Sequence, residues 1–454
     1  FGTIEYEAVM EKKKDVSLTV DFENGDSEIL SGAEVYKLIY DSNQPWMLTA
    51  NGTILTNEFD GVIPGLLKRW YSERKELQAM KGKAIDAGNK TEIAFWDKRQ
   101  LVKKINLNSL YGAILNPGCR FFDKRIGQST TLTGRAIAKH MSAEVNKVIT
   151  GKYDHVGDSI IYGDTDSVYF SAFPILKKEI EEGKIPWTKD SVIKLYDQVC
   201  EEANKTFPKF MMEAFHCPKS RSDVIAAGRE IVAESGLYIT KKRYAALIYD
   251  NEGQRTDVDG KAGKVKAMGL DLKRSDTPVF MQDFLSELLM MVLQETPEKE
   301  ILERISEFRT EFKLRPGYEK GSPKRANRIG DYQRKEQREG KANMPGHVRA
   351  SINWNTLKRM NNDKYSQEIV DGMKVIVCKL KQNPLGYTSV AYPTDELRIP
   401  EWFKELPFDG DAMESTIIDN KLDNLIGVLN YDVASTLQKN TFNNLFDFGG
   451  ADES

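Results

Sequence analysis

The amino-acid sequence predicts an α+β protein with more than one domain. Two Asn-Gly dipeptides, each between short β-prone runs, predict two hairpins near the start of the chain. Long stretches of helical periodicity follow, and a short turn joins two of them. The chain has 454 residues, which exceeds one ordinary compact domain, so we expect two or three separate cores.

Composition excludes several classes of protein. The 65 Lys and Arg against 68 Asp and Glu give a net charge of −3, so any basic surface for a polyanion must be local. The four cysteines are far apart and contain no Cys-x-x-Cys pair, which argues against a disulfide framework or a cysteine-rich zinc site. No apolar run of about 18 residues and no signal peptide is present, which predicts a soluble intracellular protein.

Two pairs of β-prone runs form the opening segment. Asn-Gly between such runs is the strongest short-range hairpin signal, because both positions tolerate the positive φ of a tight turn. The pairs are residues 17–22 with 27–30 and residues 46–49 with 53–56. The sequence therefore predicts two β-hairpins.

A pair of helices is predicted next, over residues 64–84 and 92–111, with a turn over residues 86–90. Two antiparallel helices joined this tightly bury little by themselves. We therefore expect them to project from a larger body as a hairpin with the shape of a mobile lid.

The remaining chain is predicted to mix helices with two short strands around a polar turn. The predicted helices are residues 133–149, 192–214 and 281–312, and the predicted strands are residues 159–162 and 168–171. From Lys313 to Arg349 there are eleven basic residues against four acidic ones. This basic patch is either a binding surface or a solvated, flexible connection, and by itself it favours neither.

The sharpest chemical feature is Tyr-Gly-Asp-Thr-Asp-Ser at residues 162–167, between the two short strands. Extended residues two apart point to one face, so Asp164 and Asp166 are expected to present their carboxylates together. Magnesium prefers oxygen ligands and is usually completed by substrate phosphates, so the pair is a candidate metal site. The alternative is a polar turn whose Asp side chains bond their own backbone, and a bare Asp-x-Asp would favour that alternative.

A second feature is a stripe on the second predicted helix. Lys104, Asn108 and Tyr111 follow at i, i+4 and i+7 and share one face, and Gly112 comes directly after them. A cation, an amide and an aromatic ring are suited to bind a triphosphate and pack against a base pair, while glycine permits close approach. The alternative is a solvated lysine beside a capping Asn and a core Tyr.

The first predicted helix carries the same spacing. Arg74, Gln78 and Lys81 lie at i, i+4 and i+7, so the two helices are able to turn polar faces toward each other. Surface helices commonly carry such charges without a function, so the pattern is weak evidence when taken alone.

A third feature is the run Thr-Lys-Lys-Arg-Tyr at residues 240–244, before a β-prone stretch. Strand alternation would send Lys241 and Arg243 to one side and Lys242 and Tyr244 to the other. That arrangement allows contacts to phosphates and to a groove edge together. An isolated basic run of this kind is otherwise common on protein surfaces.

In chain order, three strings resemble signatures of family B DNA polymerases. They are Lys-x-x-x-Asn-Ser-x-Tyr-Gly at residues 104–112, Tyr-Gly-Asp-Thr-Asp-Ser at 162–167 and Lys-Lys-Arg-Tyr at 241–244. Two further segments, residues 51–64 and 266–278, resemble tailed-phage replicative members, in particular the T-even-like group. A phosphate-binding module with unrelated chemistry would require three coincidences in the right order.

The resemblance implies a right-hand polymerase architecture with a β-sheet palm carrying helices, two-helix fingers that close over the nucleotide, and a mostly helical thumb. The implied domains are residues 1–61 for an incomplete N-terminal part of the palm, 62–117 for the fingers, 118–272 for the palm with the catalytic hairpin, 273–440 for the thumb and 441–454 for a C-terminal clamp-binding tail.

The resemblance also implies an activity, the template-directed transfer of dNMP to a primer 3′-OH by two Mg²⁺ ions, in the cytoplasm of an infected bacterial cell. The implied catalytic residues are Asp166, Asp164 and Lys104, and the two aspartates are the implied metal ligands. The implied dNTP-binding residues are Arg74, Lys104, Asn108, Tyr111 and Gly112. The implied DNA-binding residues are Lys241, Lys242, Arg243, Tyr244, His347 and Arg349.

Two departures from the family pattern qualify these expectations. Gln78 stands where the family often has a lysine, which leaves one phosphate contact in doubt unless Lys81 replaces it. The first palm signature, an aspartate followed by Ser-Leu-Tyr-Pro-Ser, is missing, as are the acidic motifs of a proofreading exonuclease, and the sequence begins with Phe1. We therefore expect a fragment or one half of a split enzyme, incomplete when isolated, whose N-terminal partner supplies both. The alternative is a non-catalytic polymerase-like subunit that binds DNA or acts as a scaffold.

The end of the sequence is apolar and aromatic in a glycine-flanked, polar context, which is typical of a peptide that docks into a partner's groove. It resembles the C-terminal peptides by which phage polymerases bind the sliding clamp. The implied clamp-binding residues are Phe442, Leu445, Phe446 and Phe448. The alternative is that these side chains pack on the thumb.

Overall fold

The computed structural model describes residues 3–22, 24–340 and 343–437. They divide into two compact units, Phe1–Arg229 (unit 1) and Glu230–Ser454 (unit 2). Helices and antiparallel sheets occur in both, so the predicted α+β class is confirmed. None of the helices in the described ranges is both long and apolar enough to cross a membrane.

Unit 1 opens with the two predicted hairpins, and both predictions are confirmed. Strand β1 pairs with β2 and β3 pairs with β4, each antiparallel. Gly25 and Gly52 have φ of 93° and 81°, the positive values for which glycine is suited in such turns. The elements are α1 (Thr3–Met10), β1 (Ser17–Asp21), β2 (Ser27–Ser31), α2 (Gly32–Tyr36), β3 (Trp46–Leu48) and β4 (Ile54–Thr56).

The predicted helical hairpin is also present, as α3 (Val62–Asp86) and α4 (Lys90–Ile114). The Asn89 side chain caps α4 by accepting a hydrogen bond from the Glu92 backbone N–H. The only buried residues of the two helices are Ala84 and Ile114. The hairpin therefore buries little apolar surface by itself, and its two helices pack chiefly on each other.

The centre of unit 1 is the long helix α5 (Lys124–Thr150), which begins nine residues earlier than the sequence predicts. It packs against α4, against α7 and against the strand pair β5–β6. Its first turn approaches α4 closely, because a Cβ on Gly127 would lie 2.0 Å from Leu115 Cδ2. The remaining elements are β5 (Ile160–Asp164), β6 (Ser167–Phe170), α6 (Phe173–Glu181) and α7 (Lys189–Phe215).

Unit 2 begins with a sheet in the order β10-β8-β7, with β9 paired to β8. One long helix is predicted over residues 281–312, and that prediction is wrong because the chain forms two helices there. Glu295 has φ of 57°, and Pro297 precedes the second helix, so the helical backbone cannot continue. The elements are β7 (Ile231–Thr240), β8 (Arg243–Asn251), β9 (Gln254–Arg255), β10 (Lys264–Met268), α8 (Val279–Leu293) and α9 (Glu298–Leu314).

The basic segment 313–349 is structured over its described residues, so it is not a flexible connection there. It contains β11, α10 and the start of α11, and β11 joins a sheet in the order β11-β12-β13. Trp354 of α11 is fully buried in the core of unit 2, which also includes residues of β7, β8, α8 and α9. The elements are β11 (Ser322–Arg325), α10 (Ile329–Glu339), α11 (Gly346–Met360), β12 (Lys374–Lys379), β13 (Ser389–Pro393), α12 (Glu401–Lys404), α13 (Gly410–Glu414) and α14 (Asn420–Ile426).

Candidate active site

The acidic pair lies at the turn between β5 and β6. Asp164 ends β5 and pairs with Ser167, which starts β6, so Thr165 and Asp166 form the turn. Thr165 has φ of 53°, and the Asp166 N–H donates to the Asp164 carbonyl at 2.6 Å, which closes a turn of the γ type. The predicted polar turn between two short strands is therefore present, and Asp166 belongs to it. Because Thr165 has a positive φ, the alternation of an extended strand does not apply here, and a shared face for the two carboxylates stays a prediction.

The two carboxylates differ in their surroundings. Asp164 is half-buried and accepts a hydrogen bond from Thr165 Oγ1 at 3.1 Å, whereas Asp166 is exposed. Within the described ranges, no group of three or more His, Cys, Asp or Glu side chains is placed to hold a metal ion. The oxygen donors fit Mg²⁺, which retains waters and is usually completed by substrate phosphates, but the pair supplies two carboxylates and no third.

The turn is approached through a loop that one buried side chain holds in place. Asn146 of α5 is 1% exposed, and its Oδ1 accepts hydrogen bonds from the Ser159 N–H and Oγ at 3.2 and 2.8 Å. Its Nδ2 donates to the Lys152 carbonyl at 2.9 Å and to Thr150 Oγ1 at 3.0 Å. A Cβ on Gly157 would lie 2.2 Å from this Nδ2. Asn146 therefore fixes where β5 begins, a role that sequence reasoning missed.

The helical hairpin brings Arg74 close to the stripe that starts at Lys104. Arg74 Nε donates to Gln100 Oε1 at 3.3 Å, and Gln100 lies one helical turn before Lys104 on α4. Lys104 is exposed, whereas its neighbour Lys103 forms an ion pair with Glu73 and lowers the pKa of that carboxyl. The two predicted phosphate-binding cations, Arg74 and Lys104, therefore lie near each other on the hairpin.

Lys81 has a different environment from the one that a phosphate contact requires. Its Nζ donates to Asp97 Oδ1 at 2.6 Å across the hairpin, and this hydrogen bond holds the pKa of Asp97 below its usual range. Gln78 is half-buried on the same helix. Lys81 is thus engaged in joining the two helices, which argues against its replacing a contact at position 78.

The other residues of the stripe, Asn108, Tyr111 and the following Gly112, lie near the C-terminal end of α4. Asn108 is exposed, and Tyr111 is half-buried. Gly112 is exposed, and a Cβ there would meet nothing within 4 Å. Space is therefore available beside Gly112 for a ligand.

Helix α5 connects the two candidate sets in unit 1. It packs against α4, which carries Lys104, and against both strands that carry the acidic turn. The helix that carries Lys104 and the strands that flank the carboxylates therefore pack against one helix, although they are separated in sequence.

The basic run at residues 241–244 forms a turn in unit 2. Lys241 and Lys242 are the exposed turn residues between β7 and β8, and Lys242 has φ of 62°. The predicted strand alternation is therefore wrong, since β8 begins at Arg243. Tyr244 is 8% exposed and stacks on Tyr238 with ring centroids 5.7 Å apart, so the tyrosine ring belongs to the core.

His347 and Arg349 lie in the first turn of α11. Arg349 Nη1 forms an ion pair with Glu336 Oε1 at 2.7 Å. Burial and the nearby Lys324 lower the pKa of His347, so its imidazole is largely neutral near pH 7. The four predicted clamp-binding residues, Phe442, Leu445, Phe446 and Phe448, lie outside the described residues.

Comparison with known proteins identifies similar sequences. Residues 18–213 match the family described as DNA polymerase family B. The chain is 28% identical over 340 residues to the DNA-directed DNA polymerase of Escherichia phage RB69, an alignment of 71% of the chain and 36% of that protein. It is 30% identical over 316 residues to the DNA-directed DNA polymerase of Enterobacteria phage T4, covering 65% of the chain and 33% of that protein.

A bacterial protein is also similar. DNA polymerase II of Escherichia coli (strain K12) is 29% identical over 262 residues, which covers 55% of the chain and 27% of that protein. The chain thus spans about a third of the length of the phage proteins it matches.

Proposed function

Because a family B DNA polymerase domain occupies residues 18–213, we propose that this chain carries the nucleotidyl-transfer part of a DNA-directed DNA polymerase. The observation that best supports the proposal is the packing of α4, which carries Lys104, and of the strands that flank the acidic turn against the same helix α5. Carboxylates for metal ions and cations for phosphates are the groups that phosphoryl transfer requires.

Each group has a proposed task in the transfer of dNMP to a primer 3′-OH. Asp166 and Asp164 would hold two Mg²⁺ ions, which would supply electrostatic stabilisation of the charge that develops during the transfer. Lys104 and Arg74 neutralise the triphosphate, and Asn108 orients it. Tyr111 packs against the nascent base pair, and the open space beside Gly112 admits the nucleotide.

The domain roles are proposed on the same basis. Residues 62–117 act as fingers, because α3 and α4 form a hairpin with little burial of its own. Residues 1–61 and 118–272 belong to the palm, residues 273–440 to the thumb, and residues 441–454 to a tail that binds a sliding clamp. Of the proposed DNA contacts, Lys241 and Lys242 are exposed, whereas Arg243 and Tyr244 are engaged within unit 2.

The proposed metal site at the acidic turn needs a further carboxylate ligand. The protein has to fix the coordination of two metal ions in such a site, and the described residues place only two carboxylates at this turn. We propose that an N-terminal polymerase and exonuclease segment supplies the third. The same observation favours the second candidate function, a polymerase-like subunit that binds DNA without catalysis.

Primer extension distinguishes the two candidates. The chain is assayed alone and with an N-terminal segment of a related phage polymerase, using primer-template DNA, dNTPs and Mg²⁺. The proposal expects weak or no incorporation alone, incorporation on mixing, and its loss in Asp166→Asn. Asp15→Asn makes the same charge change at another exposed site and should retain incorporation. DNA binding with no incorporation under either condition would instead support the non-catalytic candidate.

A second measurement tests the phosphate-binding role of the hairpin. Removing a charge-assisted hydrogen bond costs about 1.5–3 kcal/mol, so Lys104→Ala should raise the dNTP concentration for half-maximal incorporation about tenfold to a hundredfold. Lys98→Ala on the same helix removes another exposed lysine and should change it little. Equal effects of the two substitutions would contradict a specific role for Lys104.

A further inference from the structure

The basic turn of unit 2 is tied to two distant segments through the carboxylate of Asp271. Lys421 Nζ donates to Asp271 Oδ1 at 2.7 Å, and Asn424 Nδ2 donates to Oδ2 at 3.0 Å. Arg243 and Arg274 also approach this carboxylate, at 4.0 and 3.7 Å. A single acid therefore gathers three cations, from β8, from the segment after β10 and from α14.

The members of this cluster differ in exposure, and the difference indicates two tasks. The side chains of Asp271 and Lys421 are 9% and 16% exposed, whereas that of Arg274 is 58% exposed. Lys241 and Lys242 are exposed at the turn itself. The ion pair of Asp271 with Lys421 is therefore the buried part of the cluster, whereas Arg274 and the two turn lysines lie at its surface.

A backbone contact joins the same segments. Arg243 Nη2 donates to the Asn424 carbonyl at 2.9 Å. Gly269 has φ of 63°, and a Cβ on it would lie 2.2 Å from the Lys242 carbonyl oxygen. The turn is thus held from one side by Gly269 and from the other by α14.

The cluster carries a surplus of positive charge. Arg274 also pairs with Asp276 at 3.0 Å, and Asp276 pairs with Lys324 at 3.3 Å. In the resulting set the cationic side chains outnumber the carboxylates by six to two. Its members are Lys241, Lys242, Arg243, Arg274, Lys324, Lys421, Asp271 and Asp276.

Like charges repel, so such a set would separate without a counter-charge at its base. A carboxylate inside the set supplies that counter-charge, although it also reduces the attraction for a polyanion. Asp271 is buried and contacts four side chains, which favours a role in positioning these groups over one in merely neutralising their charge.

We propose that Asp271 is a positioning residue that arranges the turn 241–243 for the phosphate backbone of duplex DNA. The inference rests on the proposed function, because DNA is its ligand. Through Lys421 and Asn424 it also gives α14 a part in DNA affinity, although Asn424 lies 181 residues beyond Arg243 of the turn.

Equilibrium binding of the full chain to primer-template DNA tests the proposal over a range of salt concentrations. Asp271→Asn adds one positive charge, so a residue that only neutralises would give tighter binding on substitution. If Asp271 is a positioning residue, the substitution should instead weaken binding about tenfold. The slope of log K against log salt concentration should then become shallower, by the equivalent of about one or two phosphate contacts. Glu287→Gln, which removes a carboxylate paired with Arg304 elsewhere in unit 2, is the charge-matched control and should not weaken binding.

Gly269→Ala is a second variant, because it displaces the turn without changing any charge. The proposal expects weaker binding there too, with circular dichroism and the urea midpoint reporting that the chain remains folded. Unchanged or tighter binding by folded Asp271→Asn would overturn the inference alone. DNA binding without incorporation, even after the N-terminal segment is added, would overturn the proposed function alone. No DNA binding by the wild-type chain would overturn both.

Discussion

Arg309 is the group whose removal should destabilise unit 2 most clearly. It is fully buried on α9, and its guanidinium donates to Glu414 at 2.9 Å, to Asp419 at 2.6 Å and to Thr436 at 3.0 Å. Arg309→Met fills similar volume but leaves Glu414, which is 6% exposed, without this cation. An uncompensated buried charge costs about 3–5 kcal/mol. The Asp419 side chain is 38% exposed, so its share is about 1 kcal/mol or less.

Urea unfolding, with hydrogen exchange of α9 and α14 to assign the change to unit 2, measures this effect. The double variant Arg309→Met, Glu414→Met removes both charges and should recover most of the lost stability. Arg304→Met on the same helix removes an arginine from a partly exposed network and should cost less. A loss below about 1 kcal/mol for Arg309→Met, or no recovery in the double variant, would refute the reasoning.

Two further predictions concern unit 1. Asn146→Ala leaves the buried Ser159 groups and the Lys152 carbonyl without their partner, so unfolding free energy should fall by about 2–3 kcal/mol and primer extension should slow; an unchanged extension rate at full stability would argue against its positioning role. Burial lowers the pKa of His140, which stacks on Phe210 at 3.9 Å. The unfolded chain therefore binds a proton more readily below about pH 6.5, and stability should fall as pH drops through that range. In His140→Phe, the urea midpoint should depend less on pH in this range. A pH dependence as steep as that of the wild-type chain would contradict the prediction.

The elements that the sequence predicts well are those set by local signals. The Asn-Gly turns at positions 24–25 and 51–52 and the tight connection between α3 and α4 depend on neighbouring residues, and all three are present. The break between α8 and α9 also has a local cause, Pro297, but the apolar periodicity on both sides masks it. The strand alternation predicted over residues 241–244 is wrong because the turn at Lys241 and Lys242 depends on the pairing of β7 with β8.

In the candidate site, too, the features set by neighbouring residues are predicted and those set by distant contacts are not. The acidic turn and the Lys104 stripe are visible as strings, because their spacing is short. The partners of Asn146, Lys81 and Asp271 lie up to about 150 residues away, and a single sequence contains no sign of such contacts. An asparagine in the interior of a long helix was the one available signal for Asn146, since asparagine is a poor helix former.

The ion pairs between α3 and α4 affect how the hairpin can move. Ion pairs join Glu73 to Lys103 and Lys81 to Asp97 along helices of 25 residues each, so the hairpin should turn as one stiff rod of about 37 Å. Lys104 lies ten residues before Ile114, the end of α4, which corresponds to about 15 Å along the helix. If the hairpin rotates by about 10° about that end, Lys104 moves by roughly 3 Å, and the opposite end of α4 moves more than twice as far. A rotation of about 10° is therefore enough to make or break a hydrogen bond between Lys104 and a phosphate.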